Sequence, residues 1–140
     1  MKNVTFVSAL FDIDRVDGRK WDQYLKWFDE TLKLRVPMLL FITEDLQEFV
    51  DERRGDLPTK TVHITPEEIP YYHLKEPIQE ILDSDDYKNN ISDPDRIECK
   101  QAMYSVIQYS KFPWLDHAAK INPFDSDVYF WLDAGGSRFF

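Results

Sequence analysis

The run MLLFIT, residues 38–43, constrains this chain more than any other feature. Successive side chains of a strand point to opposite faces. An unbroken apolar run such as Met38 to Ile42 must therefore be buried on both, as in a central parallel strand with helices above and below. Its neighbours fit that arrangement. NVTFVSALF (3–11) is β-branched and aromatic and ends in a polar turn, which predicts a buried strand. TKTVHIT (59–65) alternates as a third strand, and DVYFWLDAGGSRFF (127–140) opens as a strand that ends in an acid and two glycines.

Helical patterns lie between the strands. RKWDQYLKWFDETLKL (19–34) follows the loop punctuated by Gly18 and places Trp21, Tyr24, Leu25, Phe28 and Leu32 at helical spacing. EDLQEFVDERRG (44–55) predicts a helix stopped by Gly55. In TPEEIP (65–70), Thr65 is an N-cap, Pro66 takes the first helical position and Glu68 completes a capping box, before Pro70 ends the turn. Residues 71–90 are amphipathic and break into a polar loop. Residues 92–112 open with a cap and a proline, then set Ile97, Met103, Tyr104 and Ile107 around one face. Residues 113–124 read as a separate short helix and loop. The order βαβαβ, helices, β predicts an α/β, Rossmann-like fold: a mainly parallel sheet flanked by helices.

Charge and composition exclude several roles. The chain has 140 residues and is 43% hydrophobic, enough for a real core. Its net charge of −9 disfavours nucleic acid and anionic membranes as partners. The apolar stretch Val4–Phe11 is too short for a membrane span and has no cleavage-site pattern. With Cys99 as the single cysteine, an internal disulfide is impossible, and the expectation is a cytoplasmic protein.

Ligands of open parallel sheets bind beyond the carboxyl ends of the strands. Asp12, Asp14 and Arg15 follow the first strand, Thr43, Glu44 and Asp45 the second. Asp133, Gly135, Gly136, Ser137 and Arg138 follow the last, and neighbouring strands would bring these groups to one rim. Asp125 and Asp127 precede the last strand, so they belong on the opposite rim as turn and cap residues. His63, His73 and His117 lack metal-ligand spacing. Lys100 is within reach of a phosphate, although a lone helical lysine is usually solvated. The Trp and Tyr residues of the first helix read as core. No glycine-rich phosphate loop or nucleophile elbow is present.

LFDIDRV (10–16) resembles the first motif of haloacid-dehalogenase-like phosphohydrolases, Asp-x-Asp-x-Thr or Val. That resemblance implies Asp12 as nucleophile, Asp14 as general acid, Thr43 as the second motif and Asp133 as a magnesium ligand. A second resemblance spans the whole chain. TFVSALFDIDR, SKFPWL and VYFWLDAGGSRF together resemble the HtrL/WlaTC family of bacterial surface-polysaccharide proteins, which is similar to fold-A glycosyltransferases. It implies a single nucleotide-sugar-binding-like domain over 1–140 that transfers a sugar to a glycan acceptor. Phe11, Asp12 and Arg15 would lie against the nucleotide, and Thr43 and Glu44 near the base or ribose. Asp133 would stand as the first acid of a pair holding Mn²⁺ or Mg²⁺, with Arg138 or Lys100 neutralising phosphate. The second acid of that pair is Gly135 here. Ending in Phe139 and Phe140, before any acceptor half, the chain is expected to be the donor-binding portion of a longer domain. A non-catalytic α/β binding domain is the third reading beside the transferase and the phosphohydrolase.

Overall fold

The computed structural model describes residues 3–15 and 19–140; Val16, Asp17 and Gly18, the expected loop punctuation, lie outside the described residues. Four parallel strands form one sheet in the order β3-β2-β1-β4. They are β1 (Val4–Leu10), β2 (Met38–Ile42), β3 (Thr59–His63) and β4 (Val128–Trp131). The expected α/β Rossmann-like arrangement is therefore present.

MLLFI is buried throughout, and its alternation explains why. Met38, Leu40 and Ile42 join Leu10, Phe28, Leu32 and Val50 in one core, under α1 (Trp21–Leu32) and α2 (Gln47–Arg54). Leu39 and Phe41 join Val7, Val106, Trp114 and Ala118 in another, under α5 (Ala102–Ile121). Each fully buried Leu or Phe contributes about 1.5–3 kcal/mol of burial energy, so a slip of one residue would lose both cores together.

Gly55 ends α2 at φ 52, where a Cβ would be strained. The Glu68 side chain accepts the Thr65 backbone N–H at 2.9 Å, the expected capping-box bond. Residues 71–90 hold two helices, α3 (Lys75–Asp83) and α4 (Asp85–Asn89), separated at Ser84, whose hydroxyl accepts the Tyr87 N–H.

Two expectations are corrected. The helix expected from residue 92 begins at Ala102, because Gln79 of α3 supplies its cap: its Oε1 accepts the Ala102 N–H at 2.9 Å, and its Nε2 donates to the Lys100 carbonyl at 2.8 Å. The expected break at Pro113 is also absent, and α5 runs through it. Proline removes one backbone bond, but Val106, Ser110, Trp114 and Ala118 are all buried on one face across that point. Continuous packing of this stripe outweighs the lost bond.

Candidate functional site

Because β2 and β3 step to one side of β1 and β4 to the other, the strand order reverses at β1. The crevice at such a reversal, beyond the carboxyl ends of the strands, is where open α/β sheets bind ligands. A cleft of about 140 Å³ opens there, far more than one water needs. Its floor is the end of β1 and the loop that follows it, from Ala9 to Ile13. One wall is α5, which presents Tyr104, Ile107, Gln108 and Lys111. The spacing i, i+3, i+4, i+7 puts all four on one stripe. The other walls are Trp21 and Tyr24 of α1 and the segment from Asp133 to Gly135 with Arg138.

The loop after β1 is shaped by its own acids. Asp12 Oδ1 accepts the Asp14 backbone N–H at 2.9 Å, and Asp14 takes a positive φ of 51. Such Asx turns let a short polar residue adopt the left-handed region. Gln101, at the start of α5, donates to the carbonyls of Ile13 and Asp14 at 3.1 and 3.3 Å and ties this loop to the helix. Arg15 Nη1 donates to the Tyr24 hydroxyl at 2.6 Å, and the guanidinium lies near the rings of Tyr24 and Tyr104. Arg15 Nε is buried, with no partner among the described residues.

The segment after β4 is anchored twice to α1. The Thr31 hydroxyl donates to the Ala134 carbonyl at 2.9 Å, and the Ser137 hydroxyl donates to the Trp27 carbonyl at 2.7 Å. Asp133 Oδ1 accepts from Trp131 Nε1 at 2.8 Å and lies 2.8 Å from Lys111 Nζ. Partial burial pushes the Asp133 carboxyl up. The hydrogen bonds from Lys111 and Trp131 and the charges of Lys111 and Arg138 outweigh it, so the group titrates below its ordinary value. Arg138 Nη1 donates to the Gly135 carbonyl at 2.7 Å, and its guanidinium lies 5.4 Å from the Trp27 ring centre.

Of the expected site residues, Phe11, Asp12, Arg15, Asp133 and Arg138 line this cleft. Thr43 and Glu44 follow β2, one strand away, and are outside its lining; Asp14 is outside it too. Lys100 lies 3.8 Å from Asp95 in a separate depression near Leu82 and Cys99. Asp125 and Asp127 precede β4, and Asp127 Oδ2 accepts the Asn3 N–H at 3.1 Å. The Tyr and Trp residues expected to be core are only partly so: Trp21 and Tyr24 pack on the core and also face the cleft, and the Trp27 ring lies beside the Arg19 and Arg138 guanidiniums. Arg19, Gln108, Lys111 and Trp131 were not singled out from sequence. Polar Gln108 and Lys111 on the Tyr104–Ile107 stripe of α5 are the signal that points to them.

The acids lining the cleft are, among the described residues, Asp12 and Asp133, too few to form a full ligand set for a protein-held divalent ion. Among the described residues, no three His, Cys, Asp or Glu side chains gather into a metal-binding group. Asp133 instead spends an oxygen on Lys111 and Trp131.

Among the described residues, no helix is long and apolar enough to cross a membrane. Neither the curated proteins nor the solved structures contain a match. The family comparison does: the chain belongs to the HtrL_YibB family, described as bacterial protein of unknown function, whose model it matches over residues 2–138.

Proposed function

We propose that the cleft between β1 and β4 binds a nucleotide-sugar donor, and that the chain is the donor-binding part of a glycosyltransferase that passes the sugar to a glycan acceptor. The carrying observation is charge placement. The chain has a net charge of −9, yet Arg15, Arg19, Lys111 and Arg138 all line this one cleft, with Asp12 and Asp133 as the acids among its described residues. Cations held beside aromatic rings at a strand-order reversal suit a phosphorylated ligand with a planar base. Phe11 and Tyr104 supply apolar surface, and the arginines supply planar forks for phosphate oxygens. In such a transfer these side chains would stabilise the departing nucleotide as negative charge develops on it. Asp133 would hold Lys111 in place.

The phosphohydrolase reading has less support. Asp12 spends an oxygen on the Asp14 N–H, and Asp14, its general acid, is outside the cleft lining. Thermal unfolding tests the proposal: UDP or GDP should raise the midpoint of the full chain, because a ligand that binds only the folded state stabilises it. No shift with either nucleotide at millimolar concentration would sink it.

A further inference from the structure

We infer that the cleft takes up the diphosphate of its ligand on its own arginine and lysine side chains, without a divalent cation. This rests on the donor-binding reading above and deepens it.

Three observations carry the inference. The first is the space beside Gly135. An added Cβ would meet Arg138 Nη1 at 2.9 Å and the Trp27 ring at 3.2 Å. The position two residues after Asp133, where a metal-binding pair needs its second carboxylate, is thus filled by a guanidinium. The second is Asp133 itself, whose Oδ1 is held by the Lys111 ammonium at 2.8 Å. A carboxylate so engaged is a brace for a cation. The third is the store of unspent donors. Lys111 has three N–H donors and uses one on Asp133. Arg138 has five and uses one on the Gly135 carbonyl. Arg15 keeps a buried Nε–H with no partner among the described residues.

The charges also balance. Among the described residues, four cations against two carboxylates leave a surplus of two positive charges in the cleft. The diphosphate bridge of a nucleotide sugar carries two negative charges. A divalent ion would add its charge to a site that already matches its ligand, and it would meet Lys111 and Arg138 at close range.

The experiment is calorimetric titration of the full chain with UDP, GDP and inorganic pyrophosphate, once in EDTA and once with Mn²⁺ or Mg²⁺. The expected result is binding in EDTA with an affinity within about threefold of that with metal, falling with added salt as charge pairing requires. Lys111→Gln and Arg138→Gln should each weaken binding in EDTA by about tenfold or more, and Arg138→Lys should restore part of the loss. Lys120→Gln removes the same charge from an ion pair with Asp116 near the far end of α5, and should leave the affinity unchanged. Binding that needs the metal, or binding in EDTA that both Gln variants retain in full, overturns the inference and leaves the donor-binding reading standing. No binding under either condition overturns both. Circular dichroism of each variant separates a lost contact from a lost fold.

Discussion

Lys111 Nζ lies 2.8 Å from Asp133 Oδ1, joining the middle of α5 to the loop that follows β4. The two side chains come from elements on different sides of the cleft, and their pairing spans it. Trp131 donates to the same carboxylate oxygen from the last position of β4.

This pairing carries a pH dependence. The folded-state pKa of Asp133 is below its ordinary value of 3.8. Its contribution to stability is therefore complete above that value and is lost as the pH falls through the lower, folded-state pKa. Melting temperatures of the native chain and Asp133→Asn should differ by a constant amount above about pH 5 and converge at more acid pH. A constant difference across the acid range would exclude the ionised carboxylate as the stabilising species.

Arg54 is 2% exposed and holds the turns around β2 and β3 together. It donates to the carbonyls of Leu32, Leu34, Val36 and Pro58 and to the Thr59 hydroxyl. Burial lowers its pKa, but an arginine stays charged in any folded state near neutrality. Arg54→Ala leaves these carbonyls unpaired and should cost on the order of 3–5 kcal/mol in denaturant unfolding. Arg54→Lys should recover only part of that, since a point charge cannot reach so many acceptors. Equal stability of the Lys variant and the native chain would contradict the role of the planar fork.

Gly135 and Arg138 share space. Gly135 has a φ of −87, so its substitution brings no backbone strain; the obstacle is the guanidinium 2.9 Å from a built Cβ. Because that guanidinium is the tip of a flexible side chain and the Trp27 ring at 3.2 Å has only to give slightly, Gly135→Ala should destabilise by only about 1 kcal/mol. Combined with Arg138→Ala, the penalty should shrink, giving a coupling of about 0.5 kcal/mol or more in a double-mutant cycle. Strict additivity would show that the two do not compete.

Tyr24 orients Arg15 through its hydroxyl. Tyr24→Phe keeps the ring and removes the acceptor. Stability should change by only about 1 kcal/mol, whereas nucleotide affinity measured by titration should fall several-fold as Arg15 loses its anchor. Unchanged affinity would place Arg15 outside the ligand-binding surface.

Much of the fold is legible in local patterns. The two-faced burial of MLLFI, the stop at Gly55 and the capping box at Thr65 each follow from the chemistry of a few adjacent residues. The course of α5 is not local. Pro113 reads as a break, yet a buried stripe from Val106 to Ala118 carries the helix across it, and Gln79 from another helix decides where it starts. The cleft divides in the same way. Asp12, Arg15, Asp133 and Arg138 are readable as strand-end residues, because strand ends are where a parallel sheet gathers polar groups. Lys111 is not, because it sits mid-helix among core positions and gains its meaning only from Asp133.

By itself the sequence determined a parallel sheet covered on both faces and the polar groups at its strand ends, since hydrophobic periodicity and turn chemistry act over a few residues. Only the tertiary structure decided that β4 lies beside β1 while β2 lies on the other side. That order brings Asp133 and Arg138 to Arg15 and Lys111 and leaves Thr43 and Glu44 a strand away. Strand order depends on which faces pack together, a long-range outcome of burying two cores at once, and no local stretch of the chain records it.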